Sequence, residues 1–426
     1  MGEVQQGGFR RRVFYIPGFD PMHPRRYREL YRSEARAQAA ISGYQIEVKP
    51  KKVTGPYGWQ VNASIDGAGA QADMEVLVWS DIVKASMSAG IAATYWQLVR
   101  TSWAYIGSGA LFRLMLLRKG PIIAALYPSV ILLAQLLVAV LAGVGAGWFV
   151  AAAVHPLAGW AVALGLAWLV LRAFRRHDNK IFAYYLMHDY AFTAQAGGAN
   201  PAALEARMTA FRGIIREALL ADYDEVLVVG HSSGAHLAVS VLADLIREGV
   251  AQGLAEVWPE GQTEGKAEGQ TEGKADGRRA ALAFLSLGQV VPMVSFLPEA
   301  RRLRADLHFL AARPEVTWID VTAPGDGCAF ALCDPVAVSG VAPVDQRGPL
   351  VISAAFTQTL SPERWKALRW RFFRLHFQYL CAFDRPGDYD YFRITGGAQT
   401  LAARYAGRAA SKSRIVQPRS GYRSME

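Results

Sequence analysis

Cysteine is nearly absent. Cys328, Cys333 and Cys381 are three in 426 residues, and none stands in a CxxC pair or beside a histidine at ligand spacing. A disulfide framework is excluded, a zinc site is not expected, and a reducing compartment is the default. A chain this long needs no such staple. The phosphate-cradling GxxxxGK[ST] loop is missing, as are HExxH and a GxGxxG opening a βαβ unit. No cofactor and no metal are expected. Lys and Arg number 46 against 36 Asp and Glu, a net charge of +10. The arginines are scattered, not gathered into one arm, so nucleic acid is not expected as a partner. A basic surface beside anionic lipid is the other use of such charge.

Charge itself is missing from one long stretch. Between Lys119 and Arg172 there is no Asp, Glu, Lys or Arg, and only Ser129, Gln135 and His155 are clearly polar. One bilayer crossing takes about 20 apolar residues. A single crossing would strand some 30 of these 52 residues in water, so two helices joined by a tight turn are expected over 120–172. The turn falls at Gly143–Gly147 or at His155–Gly159, with Trp148 and Trp160 flanking the second option as interfacial aromatics do. Arg113, Arg118 and Lys119 precede the stretch, and Arg172, Arg175, Arg176 and Lys180 follow it. That pattern sets both ends on the cytoplasmic side. Abundant Ala and Arg is compatible with a GC-rich bacterium, and the membrane expected is a bacterial inner one. The alternative is a helical hairpin buried in a soluble core. The charged start Met1–Arg12 is not a signal peptide. Residues 96–119 mix Arg100 and Arg113 with Trp103, Phe112 and Leu116, which suits a helix in the interface plane or one packed on the domain.

The remainder alternates strands and helices. Val13–Ile16, Tyr44–Lys49, Trp59–Ile65 and Met74–Trp79 read as strands, and Pro24–Ile41 as a helix. After the apolar stretch, Asn200-Pro201 opens a helix. Val226–Val229 is an apolar strand, and Ala235–Arg247 a helix. Ala281–Leu287, Val316–Val321 and Leu350–Phe356 are further strands, with an aromatic-rich helical stretch at Pro362–Phe383. This implies an α/β fold, a parallel sheet covered on both faces and interrupted by a membrane hairpin. The domain runs over 1–95 and 173–410. A disordered loop at 255–279 holds the octads QTEGKAEG and QTEGKADG, and 411–426 is a flexible tail.

Gly230-His231-Ser232-Ser233-Gly234 carries G-x-S-x-G between that strand and helix. The bare pattern is weak; the strand–turn–helix context makes it informative. Two glycines allow a sharp turn. The turn lifts the Ser232 hydroxyl toward a helix N-terminus, which favours negative charge. Serine is a poor nucleophile without a base, itself oriented by a carboxylate.

Residues Val226–Ala238 resemble the nucleophile elbow of α/β-hydrolases. The resemblance implies that superfamily's Ser…Asp…His order over the chain apart from the hairpin and octad loop. It puts the base after the last strand, where His376 is the one histidine, and the acid in the loop after Val316–Val321, where Asp326 is favoured over Asp334. His231 and His236 are expected to be structural or to line the pocket. It implies an oxyanion hole of two backbone donors. One is the Ser233 N–H. The other is the Phe19 N–H, beside Gly18, with Pro17 in the position of the family's histidine. The expected function is a membrane-anchored serine hydrolase cleaving an ester or thioester of an apolar, lipid-like acyl group through an acyl-enzyme. The alternatives are an acyltransferase on the same triad and an inactive hydrolase fold serving as a membrane interaction module. Oligomeric state is not legible.

Overall fold

A computed structural model describes residues 8–251 and 280–426; the octads and the loop expected at 255–279 lie outside the described residues. Eight strands form one sheet: β1 Phe9–Ile16, β2 Gln45–Pro50, β3 Gly58–Ile65, β4 Ala68–Val76, β5 Glu225–His231, β6 Ala281–Leu287, β7 Val316–Thr322 and β8 Leu350–Ser353. Their order is β2-β3-β4-β1-β5-β6-β7-β8. From β4 onward every pair is parallel; only β2–β3 and β3–β4 run antiparallel. Side chains alternate between two cores, as a sheet covered on both faces requires. Phe14, Ile16, Val226 and Val228 meet helices Ala202–Leu219, Gly234–Ala251 and Arg301–Ala311. Val13, Tyr15, Leu227 and Val229 meet helix Arg25–Ser42 and the Tyr391–Gly396 segment.

β1 starts four residues before its apolar run. Arg11 and Arg12 are buried inside it, and each has a neighbour-strand partner: Glu225 at 2.5 Å and Glu75 at 3.0 Å. Buried charge is tolerated only when paired in this way. β4 also starts early. Ile65 faces Ala68 across Asp66 and Gly67, whose φ values are +53° and +78°. This is the two-residue hairpin geometry that Asp-Gly favours. The expected helical stretch Pro362–Phe383 is instead broken into Pro362–Leu368, Phe372–His376 and a 3₁₀ turn at Phe377–Leu380.

The uncharged stretch forms two helices, Lys119–Ala153 and Pro156–Arg176, each long and apolar enough to cross a membrane. Their most apolar windows are only 28% and 11% buried, unlike helices of a soluble core. The chain reverses at Val154 and His155, and His155 Nδ1 accepts from the Leu157 N–H to cap the second helix. Gly143 and Gly147 lie within the first helix, where they serve contact instead of the turn. A Cβ on Gly143 would lie 2.4 Å from Ala163 O, and one on Gly147 would lie 2.6 Å from Gly159 O. Small residues let the two legs approach, as in membrane helix pairs. At 1.5 Å per residue the first helix is about 50 Å long, beyond the roughly 30 Å of a hydrocarbon core. Its first turns belong to the domain: Pro121, Ile122 and Pro128 are buried.

Helix Ile91–Gly107 packs on the domain along one face and leaves the other exposed. Ile91, Leu98 and Tyr105 pack inward, while Trp96, Val99, Trp103 and Ile106 form an exposed apolar face. Residues 411–426, expected as a flexible tail, are bonded along the domain. Ser411 N–H donates to Val351 O, Ile415 bridges to Cys333, and Ser420 N–H donates to Val338 O.

Candidate active site

β5 is buried throughout and delivers the backbone to Ser232. There φ is +56°, a left-handed conformation that a non-glycine residue adopts only where its surroundings enforce it. The surroundings are the two glycines' close contacts. A Cβ on Gly234 would lie 2.0 Å from Ile16 O, and one on Gly230 would lie 2.7 Å from Ala235 Cα. The Ser232 N–H donates to Leu287 O at 2.9 Å, which fixes the turn against the end of β6. Helix Gly234–Ala251 leaves at once, so the serine sits at its N-terminus.

The sheet order explains why loops converge here. From β1 the chain crosses to the far edge at β2, builds back through β3 to β4 beside β1, then passes to β5 on the other side of β1. Side chains carried past the carboxyl ends of strands at such a reversal share one crevice. The loop after β1 brings Gly18 over the serine: a Cβ at Gly18 would lie 2.9 Å from Ser232 Cβ and 3.3 Å from Oγ. Among the described residues, neither the Phe19 N–H nor the Ser233 N–H has a hydrogen-bond acceptor.

The loop after β7 carries Asp326, and the segment after β8 carries His376. Nδ1 of His376 lies 2.7 Å from Asp326 Oδ2, and both residues are buried. Oδ2 also accepts from the Tyr379 hydroxyl at 3.0 Å, and Oδ1 from the Cys328 N–H at 2.9 Å. Burial alone raises the Asp326 carboxyl, but His376 and these hydrogen bonds outweigh it, and its pKa is lowered. An ionised carboxylate only accepts, so Nδ1 carries the proton and the lone pair of neutral His376 is at Nε2. That Nε2 is buried and has no hydrogen-bond partner among the described residues; no bond joins it to Ser232 Oγ. The His376 ring stacks on His231, the residue before the serine, with centroids 4.8 Å apart.

Asp334 is placed elsewhere. Its Oδ1 caps a short helix through the Val336 and Ala337 N–H groups, and its Oδ2 accepts from Gln346 Nε2. It meets no histidine. Three residues near the centre were outside the sequence expectation. The Tyr379 hydroxyl accepts from the Ala323 N–H at 2.9 Å while donating to Asp326, so it ties the acid to the end of β7. Cys328 contributes its N–H, and burial pushes its thiol pKa up. Asp189, on helix Ala183–Ala194, feels His376, and burial raises its carboxyl pKa to about 7. His231 is a support. Its Nε2 donates to the His376 carbonyl at 3.0 Å, so Nδ1 accepts from the Tyr15 hydroxyl at 3.1 Å. Burial lowers its pKa to about 3, and it stays neutral.

Asp326, Cys328 and His376 also place potential metal-ligand atoms within 4.8 Å of one another. The fit is poor, because Nδ1 and Oδ2 are spent on each other and the thiol resists ionisation. Among known proteins, no family model, no curated protein and no solved structure matches this chain.

Proposed function

We propose that the protein is a serine hydrolase of the α/β-hydrolase type, held to a membrane by its helical hairpin and cleaving an ester or thioester through an acyl-enzyme. The observation that carries this reading is the buried His376–Asp326 pair, whose imidazole stacks on His231, the residue before a Ser232 held in a left-handed elbow. The chain order Ser232, Asp326, His376, on loops after β5, β7 and β8, fits the resemblance. Ser232 Oγ attacks the carbonyl carbon, and His376 Nε2 accepts its proton. The tetrahedral oxyanion takes hydrogen bonds from the Phe19 and Ser233 N–H groups. Asp326 stabilises the imidazolium and keeps its orientation. The proton passes to the leaving oxygen or sulfur, and water activated by the same imidazole releases the acid.

Location is the basis for a lipid-borne substrate. The first hairpin helix reaches the site's own loop: a Cβ on Gly120 would lie 3.1 Å from Gly327 Cα, beside Asp326. Arg118 and Lys119 at one end, with Arg172, Arg175 and Arg176 at the other, support a domain on the cytoplasmic face. The exposed face of Ile91–Gly107 then lies alongside the lipid. In purified membranes the wild type should label with a fluorophosphonate probe and hydrolyse a p-nitrophenyl ester. Ser232→Ala should do neither, and labelling that survives this change would refute the assignment. Added alcohols that capture the acyl group more readily than water would indicate a transferase.

A further inference from the structure

A groove separate from the proposed centre lies between helix Ile91–Gly107 and residues 188–197. Ser232, Gly18 and His376 do not line it. It encloses about 910 Å³, within the roughly 300–1,000 Å³ of pockets that take small ligands. Trp96, Val99, Trp103 and Ile106 belong to one side, Ala191 and Phe192 to the other. Trp96 and Trp103 are 62% and 79% exposed. An apolar surface left open in this way marks a binding site. The buried His188 in the lining is satisfied: its Nδ1 donates to Gln97 Oε1 at 2.9 Å, and burial lowers its pKa to about 4, so it is neutral. Arg100 is therefore the one charge in the lining, and its guanidinium has no hydrogen-bond or ion-pair partner among the described residues.

Two observations identify the occupant. The first is where the groove stands. Helix Ile91–Gly107 runs antiparallel beside the first hairpin helix. Ile91 shares a cluster with Ala139 and Leu171, Leu98 with Leu132, and Tyr105 with Ile122. The Tyr95 hydroxyl donates to Leu132 O at 3.0 Å. The groove's apolar wall is thus borne on a helix fastened along the hairpin's flank, where Ile123, Val130 and Leu133 are exposed as well. The second is charge. Between Asp81 and Asp178 the chain has eight Lys or Arg and no Asp or Glu. A second copy of this face would therefore meet Arg100 with no carboxylate. Free phosphate would satisfy the guanidinium and leave both tryptophans in water. An anionic phospholipid does both: its phosphate suits the planar fork of arginine, and its acyl chains cover the apolar wall. We infer that the groove is a binding site for one anionic phospholipid, with the phosphate on Arg100. The inference rests on the membrane-bound reading above and not on the serine chemistry.

The test takes the full chain in detergent, mixes it with equimolar phosphatidylglycerol and phosphatidylcholine in micelles, and counts the lipid each chain retains by native mass spectrometry. The wild type should retain phosphatidylglycerol over phosphatidylcholine by at least about fivefold, the worth of one cation toward anionic lipid. Arg100→Gln should bring that ratio near one. Ser102→Trp, which fills the groove and keeps Arg100, should lower retained phosphatidylglycerol to the phosphatidylcholine level. Arg113→Gln removes an exposed cation outside the lining and should leave the ratio as it is. Added inorganic phosphate should not displace the lipid. Equal losses in Arg113→Gln and Arg100→Gln would mean diffuse attraction to a basic surface and would overturn the site. A folded Ser102→Trp that retains lipid like the wild type overturns it too. Displacement by phosphate overturns the lipid as occupant. A chain that stays soluble without detergent refutes the membrane reading and this inference with it. A membrane-bound chain that retains both lipids equally refutes this inference alone.

Discussion

Gly18→Ala tests the crevice where it is tightest. The glycine lacks the positive φ that would make any side chain strained, so the substitution acts through space alone. The added methyl would sit 2.9 Å from Ser232 Cβ and 3.3 Å from Oγ. Carbon atoms at rest lie 3.5–4.0 Å apart, so the loop after β1 and the elbow must separate by about half an ångström or more. Overpacking of this kind costs about 1–3 kcal/mol of stability. In the proposed mechanism, displacing the Gly18 loop from Ser232 costs more in rate, about 100-fold for a misplacement near 1 Å. The assay is the second-order rate of fluorophosphonate labelling in membranes, read beside the thermal midpoint. Gly43→Ala is the control: φ there is +73° with nothing within 4 Å, so it should lower the midpoint and leave labelling untouched. A Gly18→Ala protein that labels at the wild-type rate would refute the placement of this loop over the serine.

Asp326→Asn should slow ester hydrolysis by about three to four orders of magnitude. Asp334→Ala should cost about 1 kcal/mol as a lost cap and leave the rate near wild type; the reverse ranking would reassign the acid. Acid should destabilise the domain through its buried neutral histidines. Burial lowers His231 to about 3 and His236 and His188 to about 4, against 6.5 ordinarily. The unfolded chain takes up their protons first. Their stability is therefore present above pH 6.5 and is lost as pH falls toward 4, at up to about 1.4 kcal/mol per pH unit for each histidine. Urea melts at pH 7.5 and 5 should show this slope, and a His231→Gln protein with an unchanged slope would contradict it. In the hairpin, Gly147→Val should lower the temperature of inactivation in membranes. Gly145→Val, which meets nothing within 4 Å, should not; equal effects would count against the glycine contact.

Strand periodicity and the charge gap were legible in sequence because each reflects local composition. The sheet and the paired apolar helices follow from them. Charged residues inside β1 were not legible, since Arg11 and Arg12 become tolerable only through Glu225 and Glu75, over 210 and 60 residues away. The start of β4 hid in Ala and Gly, which carry little strand signal, although Asp66-Gly67 marks its hairpin. Gly143 and Gly147 suggested a turn because glycine disfavours helices in water; against a second apolar helix the same residues permit contact. For the site, the G-x-S-x-G motif located the serine, but the choice between Asp326 and Asp334 needed three dimensions. Nothing local distinguishes a capping aspartate from one that faces an imidazole. Asp189 lies beyond any motif and comes near His376 only because the chain returns to the domain after the hairpin.

The length of helix Lys119–Ala153 has a mechanical consequence. A rod longer than the slab it would pierce must lean or protrude, and its foot bears on the loop that holds Asp326, at Gly120 against Gly327. In the membrane-bound reading, a change in bilayer thickness would press on the chain one residue from Asp326.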